Sequence, residues 1–428
     1  MTPMSWSWLF LAVTLVGALF TFNAYLPRPP QSSWLAIPSF FAGWLTSELV
    51  PHHFAWQLAA TGFFVWKGAL DAWPGWLGLG ITVASWAALL AMVPVARRSE
   101  RVVESALAEG LGLSYRAETL DTELREPSYE HLPVLNPFRF GHPDVHVERD
   151  LVYAPGAGRR HLLDVYRPRD GTSGAPVLLQ IHGGGWTIGR KEQQALPLMY
   201  HLASKGWVCV AANYRLSPKA TFPDHIIDTK LALKWILEHI GDFGGDARFV
   251  AVTGGSAGGH LASLLALTPN DPEYQPGFET VDTTVQACVP FYGVYDWTDE
   301  LGLDPRDERK KFFARIVLKK TFAEDPDAYR RASPLARINA DAPPFFVLHG
   351  ALDSLVPVAQ ARQFTARLRA VSKQPVCYAE IPHAQHAFEL FHSLRTAHVV
   401  RAVDRFLTWT WARWQADTAG IERRSGPA

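Results

Sequence analysis

The sequence predicts an α/β chain, a mostly parallel sheet covered by helices, preceded by an all-helical transmembrane segment. Three observations carry this expectation. Beyond residue 140, short apolar runs alternate with longer stretches of helical period, the pattern of parallel strands joined by covering helices. A glycine-flanked serine, Ser256, stands between one such run and a helical stretch. Finally, the only charged side chains among the first 96 residues are Arg28, Glu48, Lys67 and Asp71, whereas the remainder carries an ordinary globular share of charge.

Residues 5–26 form an uncharged apolar run, long enough at about 1.5 Å per residue to cross roughly 30 Å of hydrocarbon. No Lys or Arg precedes Arg28, so the basic start of a cleavable signal peptide is missing. Residues 76–96 are a second candidate, with Trp73 and Trp76 at one end and Arg97, Arg98 and Arg101 at the other. Residues 49–66 are a weaker third, because His52 and His53 lie inside them. Residues 34–47 are short and carry Pro38, which suits an interfacial helix or the beginning of another span. The expectation is a multi-pass anchor over residues 1–96 with three or four spans. The basic cluster after residue 96 places the body that follows on the cytoplasmic side.

Residues 97–140 read as a linker or cap region, with an amphipathic helix at 101–113. Residues 141–415 form the body. Its strand candidates are 177–181, 208–212, 249–253, 285–291, 345–348 and 376–381, with an earlier antiparallel pair at 145–154 and 161–167. Residues 224–240 are the clearest covering helix, since Ile227, Leu231, Trp235 and Ile236 share a stripe and Gly241 lies just past the end. The tail from 416 to 428 is expected to be disordered.

With 41 basic and 41 acidic residues the formal net charge is zero, so no overall field favours a polyanion and nucleic acid is not an expected partner. Cys209, Cys288 and Cys377 are far apart and make neither a disulfide framework nor a zinc-ligand spacing. They read as buried, inert thiols. Nothing in the sequence signals an oligomeric state.

The sharpest chemical signal is Gly254-Gly255-Ser256-Ala257-Gly258-Gly259, between the apolar run 249–252 and the helical run 260–265. A serine at a tight strand-to-helix turn has a strained backbone, small neighbours relieve the crowding, and its hydroxyl projects above the sheet. No GK[ST] follows, which argues against a phosphate loop. His182-Gly183-Gly184-Gly185-Trp186 comes directly after the run 177–181. Successive glycines turn backbone N–H groups towards one point, where they stabilise charge on a developing oxyanion. Gly183, Gly184 and Ala257 are the expected donors, with His182 supporting the loop. A serine needs a base and an orienting acid, in the chain order Ser, acid, His. Asp353 follows the strand candidate 345–348, and His386 follows the last one. His383 competes with His386 because spacing does not separate them; His386 is preferred. Asp296 reads as a loop or substrate-pocket residue.

HGGGW, GGSAGG, HGALDSLVP and QHAF, in that order, resemble the hormone-sensitive-lipase-like branch of the α/β-hydrolases. Asn213-Tyr214-Arg215-Leu216-Ser217-Pro218 followed by Phe222-Pro223 is similar to that branch as well. The resemblance implies an α/β-hydrolase fold and a carboxylesterase or lipase without cofactor or metal, with Ser256, Asp353 and His386 as its triad. A His followed by Phe one residue on is similar to the final catalytic segment of the family and favours His386. Gly255 stands where that branch commonly has an acidic residue, and the paired motifs are also similar to prenylcysteine methylesterases and arylformamidases. The apolar N-terminus is similar to that of bacterial membrane-anchored esterases. A small-molecule ester of hydrophobic or lipid-like character is the expected substrate and the membrane the expected partner, an amide or formamide substrate or a catalytically silent receptor being the alternatives.

Overall fold

The structure is a computed structural model describing residues 3–27, 36–119, 136–304 and 307–425. Its N-terminal part is four helices: α1 (Pro3–Tyr25), α2 (Ala36–Glu48), α3 (Val50–Trp66) and α4 (Trp73–Leu111). Aromatic contacts fix their directions. Trp6 at the start of α1 meets Phe63 and Phe64 at the end of α3, and Phe20 near its end meets His53 near the beginning of α3. α1 and α3 are therefore antiparallel. Trp8 packs on Trp73 and the Tyr25 hydroxyl donates to the Ala88 carbonyl, so α1 and α4 run side by side in one direction. One end of the three-helix layer holds Trp66, Lys67, Asp71 and Trp73; the other faces the body of the protein. Leu15, Val16, Leu19, Phe22, Leu58 and Leu90 are exposed on the outside of this layer, an apolar surface far larger than scattered residues account for.

Two described helices, Met4–Tyr25 and Trp73–Leu111, are long and apolar enough to cross a membrane. α2 and α3, with 13 and 17 residues, fall short of the roughly 20 residues a span needs, so the three or four spans expected from the sequence are not established on length and composition. α4 also runs unbroken past residue 96, carrying Arg97, Arg98 and Arg101 as a continuous helix towards the body.

The body is one eight-stranded sheet of order β1-β2-β4-β3-β5-β6-β7-β8. The strands are β1 (Val145–Val152), β2 (Leu162–Pro168), β3 (Ala175–Ile181), β4 (Val208–Ala212), β5 (Gly245–Gly255), β6 (Ala287–Phe291), β7 (Phe345–Gly350) and β8 (Val376–Ile381). β1 and β2 are antiparallel to each other and β2 to β4, while the pairs from β3 onward are parallel. Every residue of β3, β4 and β6 is buried, as expected for parallel strands covered on both faces. Covering helices follow: α5 (Leu196–Ser204), α6 (Asp224–His239), α7 (Ala257–Leu267), α8 (Glu308–Phe312), α9 (Pro326–Ala332), α10 (Val358–Val371) and α11 (Leu394–Ser425).

One expectation changes. α11 continues to Ser425, past the point where the sequence pointed to disorder, and the Thr418 hydroxyl still donates to the Trp414 carbonyl one turn back. The interleaved basic and apolar residues 310–320 run through the end of α8 and a π-helical turn, Phe313–Val317, that buries Phe313 and Val317. Phe313 stacks on Trp297 at 4.1 Å and 8°, so this segment is a cap packed on the body.

Candidate active site

The carboxyl ends of β3, β5, β6, β7 and β8 meet at one edge of the sheet, the usual ligand position in an open α/β fold. Ser256 occupies the turn between β5 and α7 with φ 57° and ψ −119°, a conformation a side-chain-bearing residue adopts only under strain. Two close approaches enforce it. A Cβ on Gly258 would lie 2.0 Å from the Ile181 carbonyl oxygen, and one on Gly254 would lie 2.5 Å from the Gly258 carbonyl carbon. The Ser256 amide donates to Phe291 O at 3.0 Å, fastening the turn to the end of β6. Between Gly254 and His260 only Ser256 is not buried, and the positive end of α7 points at it.

Asp353 lies in the turn after β7 and is fully buried. Its Oδ1 accepts the Leu355 and Val356 amides, each at 2.8 Å. Its Oδ2 faces His386 Nδ1 at 2.6 Å and His349 Nε2 at 3.2 Å. Burial alone would raise this carboxyl, but the two imidazoles outweigh it and hold Asp353 well below the usual carboxylate range. His383 does not reach Asp353; its ring meets Tyr25 of α1 at 5.8 Å.

The Tyr292 ring lies 4.3 Å from the His386 ring, and its hydroxyl is 2.8 Å from where a Gly255 Cβ would be. Tyr292 thus joins the serine turn to the histidine loop. Its hydroxyl donates to the buried Glu389 carboxyl, which burial pushes up to about 7. Gln385 ties the acid turn to the histidine loop, because its Oε1 accepts the Ser354 amide at 2.7 Å and the His386 amide at 2.8 Å.

The glycine loop approaches Ser256 from β3. A Cβ on Gly183 would lie 3.2 Å from the Ser256 Cβ. The Gly183 amide, one of the expected oxyanion donors, donates to Gln194 Oε1 at 2.5 Å, a partner the sequence did not foretell. His182 supports the loop as expected: its Nδ1 meets Gly183 O at 2.8 Å and its ring stacks on Tyr214 at 4.4 Å. Burial lowers it to about 4, so it is neutral near pH 7. Asp296 is buried, and its Oδ1 accepts the Thr298 and Asp299 amides of its own turn. The three cysteines are free and buried, and no metal-holding cluster occurs among the described residues. Sequence reasoning missed Gln194, Tyr292 and Glu389, which belong to no quoted motif, and the role of Gln385, which stands in QHAF.

Comparison with known proteins follows this geometry. The BD-FAE family model matches residues 163–368. "Probable carboxylic ester hydrolase LipM" of Mycobacterium tuberculosis (strain ATCC 25618 / H37Rv) is 44% identical over 417 residues, 95% of this chain and 94% of LipM. This chain belongs to the LipM family of carboxylic ester hydrolases. Within that family the match includes the N-terminal helices as well as the body. "Esterase LipQ" of the same organism is 46% identical over 280 residues, 65% of this chain and 66% of LipQ. The structure of the Thermogutta terrifontis esterase Est2 superposes with a TM-score of 0.52 at 26% identity, covering 62% of this chain and 92% of that one. The chain is an α/β-hydrolase of the hormone-sensitive-lipase-like branch and a carboxylic ester hydrolase.

Proposed function

We propose that this LipM-family enzyme hydrolyses esters of apolar, lipid-like substrates through Ser256, His386 and Asp353, by way of an acyl-enzyme. The observation that carries the reading is the 2.6 Å contact between His386 Nδ1 and a buried, ionised Asp353, beside a serine strained outward at a strand end. Asp353 fixes the imidazole tautomer with its proton on Nδ1, which leaves Nε2 free to act as base. His386 Nε2 takes the Ser256 proton as Oγ bonds to the ester carbonyl carbon. The carbonyl oxygen becomes the oxyanion, held by the Gly184 and Ala257 amides and by Gly183 once Gln194 withdraws. The carbon–oxygen bond to the alcohol then breaks, and the alcohol leaves with the proton from His386. Water, deprotonated by the same imidazole, releases the acid and restores Ser256.

The helical layer is read as a membrane anchor. α1 and α4 both point towards the body, so a chain crossing by both must return through α3, giving three passes. The exposed apolar side chains of the layer and the tryptophans at its far end, Trp66, Trp73 and Trp76, support this. Arg97, Arg98 and Arg101 of α4 lie on the body side against Lys67 on the other, which supports a cytoplasmic body. An apolar substrate matches this location.

The test is Ser256→Ala in the full chain, assayed on aryl esters of graded acyl length. Ester turnover is expected to fall by about 10⁴-fold or more with the melting temperature preserved. Turnover retained by the folded variant rejects the reading, and a preference for the shortest acyl chain rejects the lipid-like substrate.

A further inference from the structure

The N-terminal helices reach the reaction centre. The Phe40 ring of α2 stands edge-on to the His386 ring at 6.1 Å and 75°. Three residues on, a Cβ at Gly43 would lie 3.7 Å from Nε2 of Gln385, the side chain that ties the acid turn to the histidine loop. At the end of α2, Glu48 is buried and paired with Arg395, Nη1 to Oε1 at 2.9 Å, and its Oε2 accepts the Ser393 hydroxyl at 2.8 Å. Arg395, also buried, donates to Pro382 O and to Ser47 O at 3.0 Å each. Pro382 opens the segment between β8 and α11 that carries His386, and Ser393 and Arg395 close it. One ion pair therefore grips both ends of the segment.

The three reacting groups need this support unequally. Ser256 is set by the crowded turn after β5, and Asp353 by two backbone amides and two imidazoles. His386 itself is held by Asp353 and Gln385, on an irregular segment that the Leu352 amide, donating to Ala384 O at 2.9 Å, and the Tyr292 hydroxyl, donating to Glu389, also fasten to the site. A buried ion pair is costly to desolvate and is often replaceable by apolar residues without loss of stability. Stability alone is thus a weak reason for a carboxylate in a stretch of 96 residues with four charges.

We propose that Glu48 is a positioning residue for ester hydrolysis: through Arg395 it clamps the segment that carries His386, which makes the N-terminal helices part of the active site as well as an anchor. This rests on the reading of Ser256, Asp353 and His386 as the reacting groups.

The full-length protein tests it with the double variant Glu48→Leu and Arg395→Met, which removes both charges and leaves neither unpaired. Melting temperature, kcat and KM on a short aryl ester, and the rate at which a fluorophosphonate labels Ser256 are measured together. The clamp predicts a melting temperature close to that of the parent, kcat down by at least about tenfold, KM within about threefold, and labelling slowed in parallel, since a slightly misplaced base costs rate before it costs binding. Parent-like kcat in the folded double variant overturns the proposal, and so does a loss seen only as raised KM. Should the double variant fail to fold, Glu48→Gln, which leaves Arg395 without its counter-ion and so lowers the melting temperature, is read by kcat, KM and labelling alone. Ser256→Ala separates the two readings: turnover surviving there sinks the triad, whereas a dead Ser256→Ala beside fully active clamp variants sinks the clamp alone.

Discussion

His386 and His383 are three residues apart, yet one faces a buried carboxylate and the other an aromatic ring of α1. Asp353→Asn keeps the shape of the acid but favours the wrong imidazole tautomer, so kcat should fall about 10⁴-fold with little change in melting temperature, as a chromogenic ester and calorimetry would establish. Gln194 offers a sharper contrast. Its Oε1 takes the Gly183 amide at 2.5 Å, where it competes with a substrate carbonyl, so Gln194→Ala should lower KM several-fold with kcat nearly constant; a fall in kcat would mark Gln194 as a brace for the loop instead. Glu389 links residue to pH. Burial raises its carboxyl to about 7, with Glu48 nearby adding to the effect and the Tyr292 hydrogen bond opposing it. The folded state thus holds this proton more tightly than the unfolded chain. Its stabilisation is complete below the unfolded value of about 4.3 and is lost as pH rises through about 7, an effect of order 3 kcal/mol. Thermal melts from pH 5 to 8 should decline more steeply for the parent than for Glu389→Gln. The strand-to-helix serine turn and the Asp353–His386 pair were legible because glycine spacing and chain order mark them. Gln194, Tyr292, Glu389 and the role of Gln385 were not, because they depend on partners distant in sequence that only the fold brings together.

At the scale of elements, the strands were the most legible part. The run 208–212 and the run 376–381 coincide with β4 and β8, and 224–240 with α6 to within a residue, because parallel strands buried on both faces leave short uninterrupted apolar runs. β5 was underestimated: its first residues, Gly245–Arg248, are polar or small, and their pairing with β3 begins at Ala175 with Gly245. The turn after β5 tolerates nothing larger than glycine at its crossing with β3. Gly258→Val should therefore destabilise the protein by about 3 kcal/mol or more, since a Cβ 2.0 Å from Ile181 O forces the start of α7 away from the end of β3; an unchanged denaturation midpoint would contradict this. Residues 310–320 interleave basic and apolar side chains, a pattern that fits both a lipid-facing helix and a cap. Burial of Phe313 against Trp297 resolves it, and Phe313→Ala should cost about 3–5 kcal/mol on denaturant titration.

At the scale of the molecule, the sequence separated an apolar N-terminus from a charged body but gave no sign that the two interlock. Composition reports what surrounds a segment on average; it does not report that α2 ends in a carboxylate committed to Arg395 nearly 350 positions away. A protein lacking residues 1–96 should accordingly be less than an unanchored enzyme. Arg395 would lose both its counter-ion and the cover of α2, and a melting temperature several degrees lower is expected for that fragment. The other long connection is α4. Its 39 residues make a rod of roughly 58 Å, which begins at the far end of the helical layer and ends against β8, where a side chain at Gly110 would strike Cys377. If the helical layer is the membrane anchor proposed above, a rod fixed at both ends would set the height and tilt of Ser256 over a bilayer. The enzyme would then search in two dimensions, and its rate on vesicles would follow the mole fraction of ester in the surface and not the amount of ester in the suspension.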